Sequence, residues 1–322
     1  MIIFDHLTSN DRFVMILAVS CDAKNFIFSN LFSMTLESEN RRLLYKIAQA
    51  YYEDELTQKQ IGKRLGLSRI KVSRLLQRAR DLKVVQIKLE SYDEERSSLE
   101  HAVEVRYGID EVITIPTPQP ENTDRLTHHL GMAAAECLLR SIQGDESIAI
   151  TWGHTLASVV HELPPRSFPG LQIIQSIGGL NQPDFNIDGS ELVRRMAQTL
   201  DAKPILLSSP GIVSSHEVRE ALLKDPQISK ALNAAAKANI AIVGVGAMNK
   251  ESVAIKTGIF SDEEIQRLRD KGAVGDIGLN FYNINGERVD DPINGKLIGL
   301  ELDQIRKITR IIGVAGGRIK VE

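Results

Sequence analysis

From Leu43 onward the apolar positions fall at three- and four-residue intervals, so that Leu43, Leu44, Ile47, Ala48 and Tyr51 line one face of a predicted helix. A second, shorter helix is predicted over "QKQIGKRLG", with Thr57 as its cap and Ile61 and Leu65 sharing a face. Gly66 stands where a left-handed residue would end it. Ser68 then caps a third helix whose Val72, Leu75, Leu76 and Ala79 point inward, leaving Arg69, Lys71, Ser73, Arg74 and Arg78 outside. The following "VVQIKLES" alternates apolar and polar residues, which predicts a small wing strand.

The pattern changes at Glu94. "EERSSLEHAVEVRYG" predicts a helix joining two domains. Beyond it, the short Ile- and Val-rich runs "VITIP", "SIAIT", "QIIQSI", "PILLS", "IAIVG" and "RIIGVA" alternate with helical patterns such as "LTHHLGMAAAECLLRSI" and "SELVRRMAQTL". Buried parallel strands with crossover helices fit this alternation, so the expected class is α/β. Three segments result: an extension over 1–34, a head over 35–93 and a larger domain over 94–322. Met34 followed by "TLESENRRLLYKIAQAYYED" has the look of an ordinary protein start, as though an upstream start codon had supplied residues 1–33. Within that extension "FVMILAVS", Phe13–Ser20, is too short to span a bilayer and lacks a cationic flank, so neither a signal peptide nor a membrane helix is expected.

Charge sharpens the reading of the head. The 322 residues carry a net charge of −3, yet Thr57–Lys83 holds nine basic residues against Asp81 alone, leaving −11 for everything else. That asymmetry points to a local anionic partner, with a solvated basic helix face as the plainer reading. A short helix, a Gly turn and a second helix with a cationic outer face form the helix-turn-helix arrangement, whose second helix enters the DNA major groove. Thr57, Gln58, Ser68, Arg69, Lys71, Ser73, Arg74 and Arg78 are therefore the candidate contacts to double-stranded operator DNA. Arg and Lys suit guanine edges and phosphates, and Ser suits either kind of acceptor. Gly62 departs from the alanine usual in such motifs, at a helix-propensity cost of about 1 kcal/mol.

Several of the predicted strands run into glycine. "IAITWG" is followed by His154 and Thr155, "IIQSI" by Gly178 and Gly179, "AIVGVG" ends on Gly246, and "IIGVA" is followed by Gly316 and Gly317. In an open parallel sheet these loops collect at the carboxyl edge, where ligands bind and where glycine lets amides approach an anion. Taken singly, each glycine is explained as well by a tight turn; four together favour a small anionic ligand. Asn249 stands where the third glycine of a dinucleotide fingerprint would fall, and no Walker lysine motif is present, so no NAD or ATP cofactor is expected. Cys21 and Cys137 give neither a disulfide framework nor a metal spacing, and His128 and His129, adjacent on a helix, diverge. A reducing, cytoplasmic setting is the default. Trp152, the only tryptophan, reads equally as a reporter of ligand binding or as core.

Together "LTQKQIGKRLGLSRIKVSRLL", "TWGHTL", "IGG", "VGVGAM", "KGAVGDI" and "GVAGG…K" resemble the SorC/DeoR-type sugar-binding transcriptional regulators of bacteria, from about Leu36 to the end. The resemblance implies a helix-turn-helix head joined to a Rossmann-like effector domain similar to sugar-phosphate isomerases, acting as a homodimer or homotetramer and sensing a phosphorylated sugar. It implies that Gly153, His154 and Thr155 form a phosphate loop, where some relatives carry two hydroxyl residues; His154 reads alternatively as a loop histidine satisfied by its neighbours. It further implies that Asp276 takes sugar hydroxyls and that Lys320 pairs with phosphate. The plainer alternatives are a capping Asp beside Gly275 and a solvated terminal lysine. In relatives the Gly-Gly-x-x-Lys loop opens a further helix and strand, whereas this sequence ends at Glu322. The expectation is a C-terminally shortened regulator with an impaired effector response. An isomerase-like enzyme and a DNA-binding protein with a non-functional sugar domain are the competing readings, the first weakened by a thin set of acid-base groups.

Overall fold

The computed structural model describes residues 31–87, 93–117, 122–180, 189–249, 255, 258–317 and 320, with side chains from 41 onward. Phe13–Ser20 lies outside the described residues. The chain divides into two compact units, Met1–Glu94 and Glu95–Glu322.

The first unit contains α1 (Leu31–Tyr52), α2 (Gln58–Leu65) and α3 (Arg69–Asp81). The cap residues read from the sequence act as caps. Thr57 and Gln60 form a reciprocal capping box at α2, Gly66 ends that helix at φ 68°, and the Ser68 hydroxyl accepts from the Lys71 amide. Ile47, Ala50, Ile61, Val72 and Leu76 make one buried cluster, and Leu44, Ala48 and Ala79 a second. Two expectations need correcting. Tyr51 does not enter the core; it is exposed and packs edge-on against Tyr52. Val84–Ile87 form no wing strand, because Val84 and Val85 pack against the second cluster instead; Lys88–Ser91 lie outside the described residues.

The second unit opens with α4 (Glu94–Tyr107) and α5 (Thr123–Ser141). Strands β1 (Ser147–Ile150), β2 (Gln172–Gln175) and β3 (Lys203–Ile205) follow, separated by α6 (His154–Glu162) and α7 (Gly189–Thr199). Next come α8 (His216–Leu223), α9 (Pro226–Ala236) and β4 (Ile240–Gly244). A small antiparallel sheet of β5 (Gly246–Ala247), β6 (Ala273–Ile277) and β7 (Asn280–Asn283) includes α10 (Asp262–Asp270) in the connection between β5 and β6. The short α11 (Leu302–Ile305) precedes β8 (Arg310–Val314).

The main sheet is wholly parallel, in the order β3-β2-β1-β4-β8. Alternate residues serve its two faces, as the pleat requires. Ile148, Ile150, Ile173, Ile240 and Ile242 pack against Leu138 of α5, Val159 of α6 and Met196 of α7. Ala149, Ile174, Ala241 and Val243 pack against Ala235 of α9 and Ile305 of α11. Both faces are covered, which is why these strands read as unbroken apolar runs. "VITIP" is the exception: residues 112–116 form no strand. Its amides are taken by side chains of α4, Val112 donating to Glu104 and Thr114 to Glu100, which leaves no ladder to join.

Candidate functional site

Two candidate sites emerge, one in each unit. In the head, Ser68, Arg69, Lys71, Ser73, Arg74 and Arg78 are all exposed, while Val72, Leu76 and Ala79 hold the opposite face of α3 in the core. Thr57 is exposed but fully engaged in its capping box, its hydroxyl donating to the Gln60 side chain at 2.7 Å and accepting from the Gln60 amide. Gln58 is half-buried. The cationic surface therefore rests on α3 and on the turn that leads into it.

In the second unit the chain steps outward from β1 through β2 to β3, then returns to β4 on the other side of β1. The crevice at the carboxyl ends of β1 and β4 is where strand order reverses, the place at which open α/β sheets bind ligands. Gly153 follows β1 with φ 152° and ψ 163°, a conformation essentially restricted to glycine. It begins α6 without a capping side chain, so the first-turn amides of His154, Thr155 and Leu156 precede the helix's own bonds, which begin with Ala157 to Gly153 at 2.9 Å. His154 is exposed and Thr155 half-buried in that turn.

From the other side of the crevice β4 runs into β5, where Gly246 pairs with Asp276 of β6. Asp276 is buried, and its carboxylate fills the place a Cβ on Gly246 would need. Burial pushes this carboxyl up from 3.8 to about 6, opposed by the Leu279 amide, which donates to Oδ2 at 3.0 Å, and by the positive charge of Lys320. Two residues widely separated in the chain thus act on one another at the carboxyl edge. Lys320 is anchored by its amide, which donates to the Gly317 carbonyl at 3.1 Å. Gly316 packs its backbone closely against Leu130 of α5, so that glycine serves the fit of the loop to the helix.

The remaining glycine pair has another role. The Gly178 amide donates to Ile298 at 2.9 Å and the Gly179 amide to Ser209 at 3.0 Å, so neither is left to hold an anion. The Gly178 carbonyl accepts the Trp152 indole N–H at 3.0 Å. Gly179 instead lines a polar cleft of about 360 Å³ at the carboxyl ends of β2 and β3, together with Gln175, Ser190, Arg194, Ser208 and Ser209. Trp152 is half-buried between the core of the main sheet and that of the small sheet, so it is core and also adjoins the crevice.

Residues 93–322 match the family described as "Putative sugar-binding domain", and residues 46–81 match sigma-70 region 4. The chain belongs to the SorC/DeoR family of sugar-binding transcriptional regulators. It is 30% identical over 286 residues to the deoxyribonucleoside regulator of Bacillus subtilis (strain 168), covering 89% of this chain and 91% of the relative. It is 28% identical to the sorbitol operon regulator of Klebsiella pneumoniae over 88% of this chain and 90% of that one. The crystal structure of the full-length sorbitol operon regulator SorC from Klebsiella pneumoniae superposes with a TM-score of 0.65 at 26% identity, covering 88% of this chain and 91% of that one. These SorC/DeoR relatives are transcriptional regulators and not enzymes. Among the described residues no helix is long and apolar enough to cross a membrane, and no cluster of His, Cys, Asp and Glu could hold a metal ion.

Sequence reasoning missed several residues of this regulator's crevice. Thr151 is buried at the end of β1 and its hydroxyl accepts from the Gly244 amide at 3.4 Å, tying the two switch-point loops together. Arg194 and Ser190 reach the polar cleft from α7, whose run "SELVRRM" carried only a helical period. The small antiparallel sheet went unread altogether, because β5 is two residues long, β6 is interrupted by Gly275 and β7 is a short run of four residues flanked by asparagines.

Proposed function

We propose that the chain controls a carbohydrate uptake or catabolism operon, with its hold on duplex operator DNA set by a phosphorylated sugar at the carboxyl ends of β1 and β4. The observation that carries this reading is the buried Asp276 carboxylate set over Gly246 at the end of β4, within range of the Lys320 charge, with the uncapped start of α6 following the neighbouring strand β1. A phosphate fits the α6 amides and the Lys320 ammonium, since a helix N-terminus and a cation both favour negative charge. Asp276 is the acceptor for sugar hydroxyls, and Gly153, His154 and Thr155 shape the phosphate loop. Relatives named for the deoxyribonucleoside and sorbitol systems support a carbohydrate ligand. The protein works in the cytoplasm as a homodimer or homotetramer.

The test is a thermal shift of the full chain against sugar phosphates, their parent sugars and inorganic phosphate, with Trp152 fluorescence and DNA-binding anisotropy followed in parallel. One sugar phosphate is expected to raise the melting temperature with concentration and to change DNA affinity. Lys320→Ala should weaken its binding about tenfold or more, the cost of losing a charged partner. Response to an unphosphorylated sugar alone would overturn the phosphate assignment, and turnover of the sugar phosphate would overturn the regulatory one.

A further inference from the structure

Ile70 is out of place by the usual rules of burial. It is the second residue of α3, and 67% of its surface is exposed, more than any other large apolar side chain among the described residues of the head. None of the buried clusters of that unit includes it. At 3.6 residues per turn it lies about 200° around the helix from the buried Val72 and shares a ridge with Arg74, one turn along. Its chain neighbours Arg69 and Lys71, and then Ser73 and Arg74, are all exposed. An apolar side chain is thus planted in the middle of a cationic surface, at the end of the helix that reaches base edges.

A lone exposed isoleucine needs no explanation in general. With α3 in the major groove, this one would stand where water is displaced on binding. In the major groove the 5-methyl group of thymine is the one apolar group that projects from base edges otherwise dominated by hydrogen-bond donors and acceptors. An aliphatic side chain on that ridge gains by meeting the methyl and loses by meeting an amino group or carbonyl, whose hydration it would strip without replacement.

We propose that Ile70 is a specificity-determining residue that reads the 5-methyl group of a thymine in each half of the operator. Arg69, Lys71 and Arg74 hold the helix on phosphates and guanine edges, and Ile70 supplies the apolar discrimination between them. The inference rests on the head reading DNA through α3.

The experiment uses the full chain. High-affinity sites are selected from randomised duplex DNA, and the best duplex is remade with each thymine in turn replaced by deoxyuridine, which removes only the methyl. One position per half-site is expected at which the native chain loses affinity by about three- to tenfold, the worth of a buried methyl or somewhat more. Ile70→Ala should bind the parent duplex more weakly by a similar factor and be indifferent to deoxyuridine at that position, while Ile70→Val keeps part of the preference. Ile70 is outside the core, so circular dichroism of the variants should match that of the parent. Sequence selection without a methyl effect, or an Ile70→Ala variant that keeps the full methyl effect, overturns the role of Ile70 alone. Failure to select any sequence overturns the reading beneath it as well.

Discussion

Asp276 ties the chemistry of the crevice to its cost. A carboxyl held near 6 in the folded chain and near 3.8 when free keeps a proton, between those pH values, that the unfolded chain has released. Stability therefore falls as pH rises through that window, and above it the buried carboxylate is a standing cost of at most about 3 kcal/mol. Asp276→Asn keeps an acceptor for the Leu279 amide and removes the charge. In urea denaturation of the ligand-free protein, the variant is expected to be the more stable at pH 7.5 and to approach the parent near pH 4. Equal stability at pH 7.5 would show that Lys320 and the Leu279 amide already offset the burial. The same substitution should weaken the sugar phosphate, a stabilised site being the usual counterpart of lost function.

Among the elements, the turn of the head shows how packing can reverse a propensity argument. Alanine in place of a helical glycine is worth about 1 kcal/mol on propensity alone. At Gly62, however, a Cβ would stand 2.6 Å from the Leu67 carbonyl oxygen, and Leu67 is fixed by its own N–H, which donates to the Gly62 carbonyl at 2.8 Å. Gly62→Ala must push the turn away and re-aim α3. We expect a lower unfolding temperature for the head and weaker DNA binding, with the thermal response to sugar phosphate unchanged. A variant more stable than the parent would mean that the turn relaxes freely. In the second unit the β6–β7 hairpin makes a comparable trade. Its two turn residues, Gly278 and Leu279, both have positive φ, at 56° and 62°, as a tight hairpin of this length demands. The Leu279 amide is secured by Asp276, so the same carboxylate that is buried over Gly246 also holds a strained turn.

At the scale of the whole molecule, α4 has no buried residue, and its Val105 and Tyr107 are 70% and 65% exposed. Leu99, Ile109 and Ile113 are exposed in the same stretch. A second copy of the chain would bury these side chains and bring two heads to a two-fold operator. Sedimentation at micromolar concentration is expected to give a dimer or tetramer, and Val105→Glu with Tyr107→Glu to dissociate it and weaken operator binding steeply. A native monomer with full operator affinity would remove α4 from this role. The charge contrast between the head and the remainder acts at this scale too, drawing the basic surface rather than the acidic domain to DNA, with an affinity that falls as salt rises.

Local chemistry determined what was readable from the chain alone. Caps at Thr57 and Ser68, the left-handed Gly66 and the spacing of Val72, Leu76 and Ala79 all act within a few residues of one another, so the sequence specifies the helix-turn-helix directly. The five strands of the main sheet were equally legible: burial on both faces demands Ile-, Val- and Ala-rich runs in the central β1, β2 and β4, and the more exposed edge strands β3 and β8 sit in short apolar runs of their own. Tertiary structure alone decided the strand order, and with it which of the glycine loops meet at the switch point. It decided that the amides of Gly178 and Gly179 would be consumed by Ile298 and Ser209, residues far along the chain that no local pattern names. It also decided that Asp276 would be buried over Gly246 within reach of the charge of Lys320, since a carboxylate's environment is set by what folds around it and not by its neighbours in sequence.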